Sequence, residues 1–319
     1  MLTIIDFCAK RCGMSFSAAS FFSRRKIAAA LLVLAGTLSA AAAPLRYSGS
    51  DFFAGEPEKA LNAEIAEATG VQPESRLRGS ISGEKELRLG EADFALLILP
   101  GSGKTHPLVK KGEWRVIPLA YQVAYVAVAS ANPADEISFE ALASVFGSFS
   151  KKSAEKWEDI GVSGFSSALL PYVGDVSRTD AVTFFQRKVL PKYTLRPNVR
   201  SAVSDDLAFK EIVNNPGAIA IVGSPVPAGL PVKTLAVADT HENANATPYS
   251  PSFTNIYNGD YPLTIPFYVV YPAKNRLTLK PVLSFLYSDA MAERLAEAGF
   301  LPLEAKVREQ FQKGIDNIK

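Results

Sequence analysis

Cysteine is almost missing from this chain. Of 319 residues only Cys8 and Cys12 carry a thiol, both near the start. Everything after residue 12 is therefore closed to disulfides, thiolate nucleophiles and cysteine-held metals. Histidine is as scarce, with only His106 and His241, and no Gly-x-Ser-x-Gly elbow accompanies them. A Ser-His-Asp hydrolase and a zinc site both lack their parts, so neither catalytic nor metal-ligating residues are assigned. Neither sign of charge dominates: 34 basic and 32 acidic residues leave +2, which gives no footing to nucleic-acid binding. No apolar run reaches the ~20 residues of a comfortable membrane span. What is present, 48% hydrophobic and 21% charged residues, suffices for one large or two ordinary globular domains.

The first 42 residues read as an export signal. Arg24, Arg25 and Lys26 precede the apolar run Ile27–Gly36, and Ser39–Ala43 supplies small residues for cleavage before Ala43. Ser23-Arg24-Arg25 fits a twin-arginine signal as well as an ordinary basic n-region, and Met14 offers an alternative start. Both cysteines precede the cut and none follows the apolar run, so the expected product is periplasmic, thiol-free and without a lipid anchor. The segment holds five basic residues and one acidic, which leaves the remainder at −2.

Beyond the signal the pattern alternates. Ala60, Leu61, Ile65 and Ala68 fall at helical spacing, with Thr69-Gly70 as a stop. A strand over 72–77, a second helix ending at Gly90 and the apolar run 92–99 follow. That rhythm predicts a parallel α/β sheet. Two long extended runs, 116–130 and 262–271, bracket a segment with its own helices at 138–146 and after Ser177, and its own strand, 218–222. Helices follow near 279–288 and 291–299, and 239–255 reads as a surface loop. A segment inserted between two crossing strands predicts two lobes: 43–122 with 265–319, and 123–264.

The ordered motifs resemble those of phosphate ABC transporter substrate-binding proteins. They are Ser48-Gly-Ser-Asp51, Gly79-Ser80-x-x-Gly83 with Leu87-x-x-Gly90-x-x-Asp93, Asn132-Pro133, Val145-Phe-Gly147, Trp157-Glu-Asp-Ile-Gly161, Asn215-Pro-Gly-Ala-Ile-Ala and Ala298-Gly-Phe-Leu-Pro-Leu303. The resemblance implies an α/β, two-lobed type II periplasmic-binding-protein fold with mixed or parallel sheets, helices on their faces and a double-strand hinge. It also implies a non-enzymatic monomer without cofactor that captures phosphate or a related oxyanion for an ABC permease.

An oxyanion needs N–H and O–H donors, and helix N-termini supply both donors and dipole. The candidate ligand residues are Ser48, Gly49, Ser50, Gly79, Ser80, Asp93, Ser177, Arg178 and Thr179. Ser and Thr before helices are also ordinary caps. Asp93 reads either as an acceptor for a protonated phosphate or as a strand-end cap, and Trp157 reads as packing. The chain departs from the family where "S-G-T" is Ser177-Arg178-Thr179, with Val173 at the usual arginine position. Arg178 either supplies that guanidinium from a new place or points to solvent. Leu96–Pro100 replaces a family Ser-Arg. A same-fold sensor or scaffold with a degraded site and an exported hydrolase are the rival readings. Gly101-Ser-Gly-Lys-Thr105 lacks the first glycine of a P-loop, because Ile98 stands there.

Overall fold

The computed structural model describes residues 43–99, 112–176 and 180–318. The signal, both cysteines, the Gly101–Thr105 run and the Ser177-Arg178-Thr179 triplet lie outside the described residues. Among those described, no helix is long and apolar enough to cross a membrane.

The first lobe begins with β1 (Arg46–Gly49), flanked in parallel by β2 (Glu74–Leu77) and β3 (Phe94–Ile98). Helix α1 (Glu56–Thr69) carries Pro57 in its first turn, where no N–H is needed, and stops at Gly70 with φ 72°. Helix α2 (Ser80–Leu89) stops the same way at Gly90, φ 73°. The run from Phe94 to Leu97 is buried throughout, as an interior strand requires. The parallel rhythm ends there. Strands β4 (Trp114–Val123) and β12 (Thr264–Pro272) join antiparallel, and β13 (Leu301–Pro302) closes the order β13-β4-β12-β3-β1-β2.

The second lobe is built on β5 (Tyr125–Ala129), β7 (Leu170–Val173), β8 (Arg200–Ser201), β9 (Ala218–Val222) and β10 (Val232–Thr234), in the order β10-β5-β9-β7-β8. Helices α3 (Phe139–Phe146), α4 (Ala181–Val189) and α5 (Asp205–Asn214) accompany this sheet. A small parallel pair, β6 (Glu136–Ser138) with β11 (Ala236–Ala238), was not foreseen. Helix α6 (Phe253–Asn258) precedes β12, and α7 (Lys280–Leu286), α8 (Asp289–Glu297) and α9 (Ala305–Asp316) complete the chain. Trp157 is fully buried, its indole N–H donating to Gly217 O at 3.0 Å, so it packs as expected.

The chain crosses between the sheets twice, at Ala124 and just before Thr264. The crossings are bolted together. Ala124 N–H donates to Leu263 O at 2.9 Å, and the buried Tyr261 hydroxyl donates to Ala124 O at 2.9 Å. Burial holds the Tyr261 phenol far above its usual range, so it remains a neutral donor.

Candidate functional site

Parallel α/β sheets bind ligands beyond the C-terminal ends of their strands. In the first lobe those ends are Gly49, Leu77 and Ile98, and the predicted loops gather there. Their roles differ. Ser48 is fully buried and its hydroxyl donates to Gly83 O at 3.0 Å, which fastens β1 to α2. Gly49 sits at φ 148°, and a Cβ there would stand 2.1 Å from Leu96 O. A Cβ on Gly83 would stand 2.6 Å from Gly49 Cα, so two bare backbones let helix and strand meet. Ser50 N–H donates to Leu96 O at 2.8 Å, and Ser50 Oγ accepts Phe52 N–H at 3.4 Å. Gly79, at φ 101°, donates its N–H to Gly49 O at 2.9 Å. Ser80 Oγ accepts Ile98 N–H at 2.8 Å.

These bonds leave a defined set of donors. Because Ser50 and Ser80 accept through Oγ, each keeps its hydroxyl hydrogen for another acceptor. No side chain caps α2, and the N–H groups of Ser80, Ile81 and Ser82 have no carbonyl one turn back within the helix. Serine hydroxyls cap α3, α5, α6 and α8, whereas α1, α4, α7 and α9 share with α2 the lack of a side-chain cap. The α2 N-terminus therefore presents unpaired donors and the positive end of a dipole.

Asp93 is not brought to this place. The register Tyr47↔Phe94 and Gly49↔Leu96 puts it level with Arg46 at the other end of the strands, roughly 10 Å away at ~3.3 Å per residue. Its carboxylate accepts Arg46 N–H at 2.9 Å and Arg46 Nη2 at 3.4 Å. Of its two readings, the strand-end strap fits these contacts.

On the second lobe, Val173 is fully buried at the end of β7, so the position of the family arginine faces core. Sequence reasoning missed two carboxylates here. Asp205, at the start of α5, accepts Asp175 N–H at 3.0 Å, Gly223 N–H at 3.1 Å and Ser224 N–H at 2.8 Å. It ties the ends of β7 and β9 together as an internal anion. Asp180 precedes α4 without making a side-chain cap bond. Burial raises its carboxyl above the ordinary carboxylate value; Arg187 lowers it and Asp51 of the first lobe raises it. An Asp before a helix looks like any cap in sequence, so neither role carried a signal.

Between the lobes lies a cavity of about 610 Å³. Phe52, Ile98, Tyr121 and Tyr268 line it from the first lobe, and Thr183, Phe184, Arg187 and Lys188 from α4. Tyr257, Asp260 and Thr264 line it near the crossings. Lys188 pairs with Asp239 at 3.2 Å. Among the described residues no group of three or more His, Cys, Asp or Glu is placed to hold a metal.

Two sheets joined by paired crossing strands, with a cavity between them, define the two-lobed type II periplasmic-binding-protein fold. Residues 35–290 match the model of the PBP superfamily domain, and the chain belongs to that superfamily. Protein SphX of Synechococcus elongatus is 26% identical over 233 residues, 72% of this chain and 68% of that protein. Among solved structures, a possible phosphate binding protein from Planctomyces limnophilus is similar with a TM-score of 0.64 at 18% identity, covering 87% of this chain and 99% of that one. PstS from Borrelia burgdorferi is similar with a TM-score of 0.58 at 13% identity, covering 82% and 98%. At such identities the two structures speak for the fold.

Proposed function

We propose that this protein is an exported, non-enzymatic receptor that captures phosphate or a related oxyanion between its lobes and delivers it to an ABC permease. The observation that carries the reading is the uncapped α2 N-terminus at the C-terminal ends of β1 and β3, beside Ser50 and Ser80. The superfamily membership supports it, as do the phosphate-binding descriptions of structural relatives. Residues 1–42 serve as the signal, and the processed protein acts in the periplasm as a monomer. The lobes are 43–122 with 265–319, and 123–264. Ser50, Gly79 and Ser80 provide first-lobe donors, with Ser48 and Gly49 shaping the loop. Ser177, Arg178 and Thr179 close from the other side.

Titration calorimetry on the purified protein tests this. Orthophosphate binds with micromolar or tighter affinity, and Ser80→Ala and Arg178→Ala each weaken it by about tenfold, the worth of one charge-assisted hydrogen bond. An absence of heat with phosphate, sulfate, molybdate and phosphonates rejects the receptor and favours a sensor or scaffold with a degraded site.

A further inference from the structure

The interlobe cavity is larger than an inorganic oxyanion needs. Five heavy atoms fill on the order of 100 Å³, a few times the ~30 Å³ of a water. The cavity measures about 610 Å³, within the roughly 300–1,000 Å³ typical of sites for organic molecules. Its wall adjoins the anion loops. Ile98, whose N–H is held by Ser80, and Phe52, whose N–H is held by Ser50, both stand in its wall. From there it runs toward the crossing strands, where Tyr261, Pro262 and Thr264 line it.

The lining narrows the choice of occupant. Arg187 and Lys188 are outnumbered by Asp180, Asp239 and Asp260, and Lys188 is already paired with Asp239 at 3.2 Å. A second anionic group has no favourable place at that end, whereas carboxylates accept from hydroxyl donors. Phe52, Phe184 and Tyr257 offer apolar faces suited to C–H-bearing carbon. Orthophosphate uses neither feature, and a purely aromatic ester leaves the carboxylates unmet.

We propose that the cargo is a phosphorylated polyol, a sugar phosphate or glycerol phosphate, with its phosphate on the α2 N-terminus and its hydroxylated carbon skeleton in the hinge-side cavity. This rests on the anion-receptor reading above and specifies its ligand class. Burial of Asp180, which raises its carboxyl, is in keeping with a neutral hydroxyl as its neighbour.

The test is calorimetry with glucose 6-phosphate, glycerol 3-phosphate, phenyl phosphate, orthophosphate and glucose. One of the two polyol phosphates binds at least about tenfold tighter than orthophosphate and phenyl phosphate, and glucose alone gives no heat at millimolar concentration. Asp260→Ala, which removes a carboxylate acceptor from the cavity wall, and Tyr257→Ala, at a position 40% exposed and tolerant of truncation, each bring that preference to within about threefold. Orthophosphate or phenyl phosphate binding as tightly as both polyol esters overturns the inference and leaves the receptor reading standing. Glucose binding as well as its phosphate, or variants that retain the full preference, also overturns it. Heat from none of the five overturns this inference and the receptor reading together.

Discussion

The two ends of the cleft are built by opposite means. On the first lobe, backbone meets backbone: Gly49 lies against Leu96 O, Gly83 against Gly49, and a helix end is left uncapped. On the second lobe, a side-chain carboxylate does the joining, with Asp205 gathering three N–H groups from the ends of β7 and β9. The first arrangement leaves donors for a ligand. The second consumes donors that a ligand could otherwise have used. Strand ends of one fold type thus leave donors open in one lobe and, around Asp205, close them in the other.

The sharpest way to break this contrast is to add one methyl group to each side. Gly49→Ala puts a Cβ 2.1 Å from a main-chain oxygen at φ 148°, where neither partner can yield. We expect a loss of about 4 kcal/mol in urea unfolding, from overpacking plus strain. Gly174→Ala meets Asp205 Oδ1 at 1.9 Å, a side chain that can withdraw. It should cost roughly half as much, about 2 kcal/mol, through the hydrogen bonds given up. Equal losses at the two sites would erase the distinction.

Removing the internal anion comes next. Asp205→Ala strands three N–H groups at the ends of β7 and β9, and about 3 kcal/mol of stability should go with them. Because the second lobe then regains donors beside the cleft, added phosphate should raise the melting temperature of the variant more than that of the parent. At the crossings, Tyr261→Phe deletes a single buried bond to Ala124 O. It should cost about 1 kcal/mol, and hydrogen exchange at Ala124 should quicken while the sheets stay protected.

Much of the scaffold was readable because its signals are local. The stops at Gly70 and Gly90, the helix 181–189 and the strand 218–222 are each announced by the residues within them. The β6–β11 pair was not, since two three-residue strands show no period and meet across roughly a hundred positions. The site divided along the same line. That Ser and Gly cluster before helices was legible, but whether Ser48 turns to a ligand or to Gly83 O depends on how α2 lies on β1. Asp93 shows the limit most plainly: its partner Arg46 is 47 residues away and reaches it only through strand register.

The smallest expected effect probes charge across the cleft. Burial first, and Asp51 of the opposite lobe, raise the Asp180 carboxyl, while Arg187 opposes them. A carboxyl raised in the folded state favours folding at pH values below its unfolded value of about 3.9, and that contribution is lost as pH climbs through the folded value. At neutral pH the ionised group therefore works against its own burial and against the nearby charge of Asp51. Asp180→Asn should raise the melting temperature slightly at pH 7, and the difference from the parent should shrink as pH falls through the raised folded value, where the parent's carboxyl takes up its proton. Orthophosphate affinity should follow the same course, rising about threefold in the variant at pH 7 as one repulsive charge is removed through partly solvated space. The excess should shrink with added salt and with acid. A gain that persists unchanged in acid would mean that the substitution acts through the shape of the loop before α4, and that the lobes do not sense each other's charge at this point.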